Sequence, residues 1–502
     1  MVIENRIYQA YYTESTPIVN YMVRLLKLRG GESILEPCAG DGIFVDAVMK
    51  AAEKVEVEAF ELNEAAFYDL SEKYEDCENI RIKQTDTLTD IDLELQSLMG
   101  GKYDAVIANP PYGAWRTTEE RKQLKKRYNG WYAKESYSLF LYRSIEALKE
   151  SGRLVFIIPD TYLNLHNHKD IRKYLLTKTK IQEIALFPSA YFPGVNFGYA
   201  NLSIIALEKC KNRKECLDNG FKIIKGFHSV EELGEEGLEH TTTLNLKQSD
   251  VLKNSNSAFL MNINPKINAC LRETKTTIGD ICDCVTGFYS GNDKEFLKVR
   301  NKEIRNSKRY EMVDLDKVEF DCSPVLCNGI EGEKEFVPIV KGGNTKYFKP
   351  DNWFMEWSVE RVDFYKKNKK ARYQNPAFYF RKGIAVPMVS SKSITGALIE
   401  NRLFDQSIVG VFPKKGQEKW LYFLLAFFNS PTCNQLIRTL NPSTNNSANY
   451  LKKIPFLLPD GEELERIEEN VRKILEGVKE KGEYDVSLEE DNHRMIQQFY
   501  GF

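Results

Sequence analysis

Asn109, Pro110, Pro111 and Tyr112 follow directly on the apolar run YDAVIA (103–108). A side-chain amide at the end of a strand-like run places one carbonyl acceptor and one amino donor at a sheet edge. Each proline fixes its φ at about −65° and donates no N–H, so the chain leaves the strand stiffly. Amide, prolines and ring together suit the recognition of a planar amino group at the C-terminal edge of a sheet, where open α/β folds bind ligands.

A second constellation lies upstream. ILEPCAGDGIF (34–44) joins a strand-like segment to a helix-like one. Gly40 and Gly42 let the backbone turn tightly and approach a ligand closely. Neither the G-x-G-x-x-G fingerprint nor a P-loop lysine is present. Glu36 would repel a pyrophosphate but suits a cation. Glu61, about twenty residues beyond the loop, ends VEAFEL where a doubly wound fold keeps its ribose-binding carboxylate. Asp86 ends IRIKQTD and can accept from an exocyclic adenine amine. These features describe an adenosine-bearing ligand without phosphates, and S-adenosylmethionine, with its sulfonium, satisfies them.

The elements that must position these groups are legible over the first 210 residues. Strand-like runs SILEP, VEAFEL, IRIKQTD, YDAVIANP, RLVFIIP, IQEIALF and NLSIIALE alternate with helix-like IFVDAVMKAAEK, EAAFYDLSEKY and SLFLYRSIEALKE. That alternation predicts an α/β fold, a doubly wound Rossmann-like sheet. Residues 211–254 are polar and read as a connector. Residues 255–460, with short β-like runs and dense aromatics, read as a second, irregular α/β or mostly β domain. Residues 461–502 read as a C-terminal helical segment.

Net charge is −2 over 502 residues, which hides two opposed regions. Residues 341–382 hold 11 Lys/Arg against 4 Asp/Glu, while 460–502 hold 13 Asp/Glu against 6 Lys/Arg. KKNKKARYQNPAFYFRK (366–382) mixes cations and aromatics as a nucleic-acid surface does. NPSTNNSAN (441–449) offers amides for adenine edges or phosphates, or else plain turn chemistry. The 10 cysteines show no zinc spacing and fit a reducing compartment. With no apolar leader and no run of 18 apolar residues, the expected location is cytoplasmic. His166, Asn167 and His168 spell HNH, but a single tripeptide does not make a metal fold. No metal is expected.

LEPCAGDG, FEL, QTD and NPPY, in that order, resemble the S-adenosylmethionine-dependent N6-adenine DNA methyltransferases. The arrangement looks like the gamma-type, TaqI-like group. TTIGDICDCVTGFYSGNDKEFL (276–297), VPIVKGGNTKYF (337–348) and NPSTNNSANYLKKIPFLLP (441–459) are similar, more loosely, to the specificity domain of that group. The resemblance implies a catalytic domain at 1–210 and a DNA target-recognition domain at 255–460. It implies Asn109 and the Pro110 carbonyl as acceptors for the adenine amine, and Tyr112 as the ring that stacks on an adenine flipped out of the duplex. Phe192, with Phe197 as the alternative, would lie at the edge of that base. The cofactor would be held by Tyr12, Thr13, Glu36, Pro37, Cys38, Ala39, Gly40, Gly42, Glu61 and Asp86, with Phe140 at its methionine end. Expected partners are double-stranded DNA and a cognate restriction endonuclease. YYTESTPIVNYMV (11–23) takes the place of the gamma-type group's N-terminal cofactor motif and begins within the first twenty residues, so a fused N-terminal nuclease is not expected. A methyltransferase acting on RNA adenine or on a protein glutamine amide remains the alternative within enzymes, and a non-catalytic DNA-binding specificity subunit the alternative outside them.

Overall fold

The computed structural model describes residues 14–112, 116–191, 201–235, 237–390, 392–442, 444–459 and 461–502. The chain divides into two units, Met1–Met261 and Asn262–Phe502.

The first unit opens with α1 (Thr16–Leu26), which carries Pro17 in its first turn, where the missing N–H costs no helical bond. Ile18, Met22 and Leu26 of this helix are buried. Next come β1 (Ser33–Glu36), α2 (Ile43–Ala51), β2 (Glu56–Glu61), α3 (Glu64–Lys73), β3 (Ile80–Gln84), α4 (Ile91–Leu98) and β4 (Tyr103–Ala108). They lead to α5 (Thr118–Arg127), α6 (Tyr137–Ala147), β5 (Leu148–Pro159), α7 (Lys169–Lys178), β6 (Thr179–Phe187), β7 (Leu202–Lys209), β8 (Gly220–Lys225) and β9 (Thr242–Lys247). Among the described residues these strands form one nine-stranded sheet in the order β3-β2-β1-β4-β5-β7-β6-β8-β9.

β1 pairs in parallel with both β2 and β4, so the strand order reverses between β1 and β4. That reversal opens a crevice at the carboxyl ends of the strands, where doubly wound folds take their ligands. β4 and the second half of β5, from Leu154 to Pro159, are buried nearly throughout, as strands covered on both faces must be. β7 is antiparallel to both β5 and β6. The expected doubly wound sheet is therefore present, with a larger sheet than the first 210 residues alone supply.

Residues 211–254 are not a connector. β8 pairs in parallel with β6, and β9 pairs antiparallel with β8, so this segment completes the sheet. Its polar look has a physical cause: β9 ends the sheet and alternates half-buried and exposed residues.

Among the described residues the second unit has a five-stranded sheet, β10 (Cys282–Thr286), β18 (Ile408–Pro413), β15 (Gly383–Pro387), β16 (Ala397–Ile399) and β13 (Tyr347–Phe348), in that order. A four-stranded sheet places β11 (Leu297–Val299), β14 (Trp353–Glu356), β12 (Phe336–Val340) and β17 (Leu403–Phe404) side by side. Its core gathers Trp357, Phe288, Tyr365, Tyr379 and Phe404. Residues 461–502 are part of this unit and not an appendage. Helix Gly461–Lys481 packs on helices Leu421–Asn429 and Val486–Tyr500, and buried Glu489 pairs with Lys346 at 2.9 Å. Among the described residues no helix is long and apolar enough to cross a membrane.

Candidate active site

The groups singled out by their spacing converge on one edge of the first unit's sheet. Glu36 ends β1, Glu61 ends β2, Asp86 follows β3 by two residues, and Asn109 follows β4 by one. Gly40 and Gly42 have φ of +59° and +80°, and Gly42 caps the start of α2. A Cβ on Gly42 would lie 2.6 Å from the Tyr74 hydroxyl and 2.8 Å from Leu70 Cδ2, so the loop is fixed by sterics as well as by φ.

Three carboxylates shape the electrostatics. Glu36 is 2% exposed, and its Oε2 has no hydrogen-bond partner among the described residues. Burial raises this carboxyl well above the ordinary range; Asp41 and Glu61 push the same way, and the Val45 N–H opposes them. Glu61 Oε2 accepts from the Gly40 N–H at 2.8 Å and Oε1 from the Asn63 N–H at 2.7 Å. Burial raises Glu61 too, against those N–H donors. It therefore braces the glycine loop, and a carboxylate with about four lone-pair sites still has acceptors left for a ligand. The backbone around the loop is pinned as well, with the Ala39 N–H donating to the Phe60 carbonyl at 2.8 Å and the Thr87 hydroxyl to that of Pro37. Burial, then Glu36 and Glu61, keeps the Cys38 thiol protonated.

Asp86 has a partner the sequence did not announce. Its Oδ1 accepts from Arg116 Nη2 at 2.9 Å and from the Leu88 N–H at 3.1 Å. Arg116 is 7% exposed and lies just past the NPPY segment, so the polypeptide that follows Asn109 is tied to the carboxylate expected at the adenine end of the cofactor.

Asn109 is half-buried, and the Tyr112 hydroxyl hydrogen-bonds to its Oδ1. The same hydroxyl lies 3.0 Å from the Ile157 carbonyl on β5. Tyr112 is 1% exposed, so its ring is folded against the sheet and not presented as an open platform. Pro110 is buried. Ser136 Oγ reaches the Pro111 carbonyl at 3.3 Å. Beside it, Tyr137 contacts Thr161 Oγ1 at 2.7 Å and His168 Nε2 at 3.1 Å, and His168 Nε2 meets Glu135 at 3.1 Å. The second His of the HNH tripeptide is thus a buried structural group, and burial lowers its pKa. Phe140 packs in the core of the unit, 4% exposed. Tyr12, Thr13, Phe192 and Phe197 lie outside the described residues.

Asp160 was missed from the sequence. It follows β5 by one residue, as Asn109 follows β4, and burial pushes its carboxyl up to about 6. The signal was there: RLVFIIPD ends an apolar run in a polar residue, just as YDAVIAN does.

In the second unit two of the four amides of NPSTNNSAN, those of Asn441 and Asn446, serve the fold, while Asn445 and Asn449 are exposed. Asn441 and Asn446 are fully buried; Asn446 Nδ2 donates to the Pro387 carbonyl at 3.1 Å, and its Oδ1 accepts from Arg438 at 3.0 Å. In 366–382 the lysines are exposed, but Tyr379 and Phe380 are buried around Trp357, so these aromatics are core and not stacking platforms.

Residues 21–192 match the Eco57I restriction-modification methylase family. The matched segment holds β1 to β6 and every described group at the crevice. Its homologues include the type II methyltransferase M.AccI of Acinetobacter calcoaceticus, 30% identical over 190 residues, or 36% of this chain and 34% of M.AccI. The adenine-specific methyltransferase BrxX of Escherichia coli O9:H4 (strain HS) is 22% identical over 415 residues, or 80% of this chain and 31% of BrxX. The chain thus spans about a third of the length of each of these relatives. In fold, the DrdV–DNA complex matches 94% of this chain and 57% of the DrdV chain with a TM-score of 0.56 at 14% identity.

Proposed function

We propose that the protein transfers a methyl group from S-adenosylmethionine to N6 of an adenine rotated out of DNA, as the gamma-type modification enzyme of a restriction-modification system with a cognate endonuclease. The observation that carries this reading is the placement of Asn109. Its amide stands at the end of β4, on the crevice where the strand order reverses, beside a glycine loop lined by carboxylates. The likeness to BrxX, adenine-specific by name, and the DNA in the DrdV complex point the same way.

The residues present suit the cofactor. An orphaned, buried Glu36 oxygen favours a cationic ligand, and the absence of a phosphate-binding lysine from the loop disfavours a nucleotide phosphate. Glu36, Gly40, Gly42, Glu61 and Asp86 would hold it, and when bound it supplies an electrophilic methyl group.

The rest is done by the chain. An adenine inside the stack cannot reach the crevice, so it is extruded at a cost of a few kcal/mol. Before the base enters, the Tyr112 hydroxyl bonded to Asn109 Oδ1 holds the amide in orientation; with the base in place, that oxygen accepts a hydrogen bond from the exocyclic amine. The Pro110 carbonyl is the second acceptor, with no proline N–H to compete. Two acceptors draw the amine toward a tetrahedral shape and turn its lone pair to the attack line, so positioning carries much of the rate. To stack on the base, the Tyr112 ring leaves its buried place and its hydroxyl releases Asn109 Oδ1 and the Ile157 carbonyl.

The test is methyl transfer from radiolabelled cofactor to duplex DNA, followed by nucleoside analysis. N6-methyladenine is expected, and Asn109→Ala should lower turnover at least about 100-fold, the size of removing one transition-state hydrogen bond, with cofactor affinity within about threefold of wild type. Label in RNA or protein but not in DNA, or near-normal turnover by the variant, overturns the reading.

A further inference from the structure

Helix α5 buries Leu124 alone among its ten residues TEERKQLKKR. A helix polar almost all round is not kept for packing, so its charged face calls for another explanation. Its two acids lie in the first turn, where they suit the helix dipole. Glu120 closes a capping box with Thr117, and Glu119 pairs with Lys122 at 3.3 Å. Beyond that turn the exposed side chains, Gln123 apart, are cationic.

Arg121, Lys122 and Lys125 line an open groove of about 450 Å³ together with Tyr132, Lys134 and Lys169. Asp170 is the one acidic residue among the described lining. The cations come from three segments: α5, the turn after it, and the first residue of α7. The buried His168, held by Tyr137 and Glu135, fixes the last of these next to Lys169. Like charges brought together from separate segments repel one another, a cost recovered when a polyanion lies between them. The groove belongs to the same unit as Asn109, and α5 starts six residues after Tyr112.

We propose that this groove seats the phosphodiester backbone of the duplex whose adenine enters the Asn109 site. The inference rests on the reading of the protein as a DNA methyltransferase, and adds that the catalytic unit itself grips the backbone, apart from the basic stretch at 366–382. Lysines act on phosphate as point charges and do not discriminate base edges as bidentate Arg or Asn pairings do. The groove therefore positions the duplex and leaves sequence reading to other residues.

The experiment compares wild type with the triple variant Lys122→Gln, Lys125→Gln, Lys169→Gln, in the full chain. Binding to a labelled duplex is followed by fluorescence anisotropy from about 50 to 200 mM salt, the range over which phosphate neutralisation dominates affinity. For every phosphate that the variant no longer neutralises, the slope of log affinity against log salt should flatten by about 0.9. Duplex affinity should fall at least tenfold, while cofactor affinity and melting temperature hold, since the three side chains are exposed. An unchanged slope and affinity overturns the proposal. So does stronger binding of duplex RNA than of DNA that is abolished in the same variant, which would assign the groove to RNA. Inorganic phosphate at the same ionic strength should not displace the duplex; if it does, the groove is an anion site and not a backbone track. Failure of the functional reading looks different: wild type and variant would differ in duplex binding as expected, yet neither would methylate DNA.

Discussion

Replacing Glu36 by Gln should make the first unit more stable at neutral pH, and the reason lies in an unpaired carboxylate oxygen. Glu36 is buried with one oxygen unpartnered among the described residues, and Asp41 and Glu61 add negative charge nearby. Its carboxyl is raised well above the ordinary range, so the native state binds this proton more tightly than the unfolded chain does. The stability it contributes is therefore fully present below the ordinary carboxylate pKa. It is lost as pH climbs from there up to the raised native value, at up to about 1.4 kcal/mol per pH unit. Gln keeps a carbonyl for the Val45 N–H and removes the titration. At pH 7.5 the variant should gain about 1–3 kcal/mol, within the limit of about 1.4 kcal/mol per pH unit set by the titration it removes. At pH 5 the gain should shrink to under about 1 kcal/mol, because the native carboxyl is then protonated anyway.

Hydrogen exchange at the amides of β1, β2 and β4 reads this unit separately from the second. The decisive quantity is the difference between wild type and variant at the two pH values, since Glu61 and Asp160 titrate in the same sense and cancel in it. Equal pH dependence in both proteins, or a less stable variant at pH 7.5, refutes the reasoning. The proposed cofactor supplies an independent check. A cationic sulfonium favours ionised Glu36, so its binding should release a proton in wild type and release less in Glu36→Gln. The demethylated, neutral thioether should show no such difference.

Gly42→Ala forces a Cβ against Tyr74 and Leu70 at a φ of +80°, and should cost about 1–3 kcal/mol by denaturation together with weaker cofactor binding. Tyr112→Phe leaves Asn109 Oδ1 and the Ile157 carbonyl without their shared hydroxyl; a stability loss of about 1–3 kcal/mol is expected, with turnover reduced and cofactor affinity unchanged. Asp160 is raised to about 6, so its contribution to stability falls as pH rises from the ordinary aspartate range through about 6, and Asp160→Asn should flatten that part of the stability profile.

What could be read in the chain, and what could not, follows the range over which each signal acts. Asn109 announced itself because apolar run, amide and proline pair are contiguous, and the strand's burial dictates all but the last residues of that pattern. Asp160 obeys the same local grammar on β5 and was legible in principle. Arg116 was not: its pairing with Asp86 spans 30 residues, and nothing beside either residue encodes the other. The edge of the sheet was hidden for a different reason. β9 alternates half-buried and exposed positions within a charged neighbourhood, so composition reads as a linker what pairing shows to be a strand. The aromatics of 366–382 mark the same limit, since a ring that packs around Trp357 and a ring that stacks on a base have the same sequence pattern. Tyr112 combines both cases: its position predicts a base-facing ring, and its burial shows where that ring rests while its hydroxyl bonds the Asn109 amide. Asn109 is thus held by the very hydroxyl that base stacking, in the proposed reaction, would have to release, so that reaction couples entry of the base to release of the Tyr112 bond.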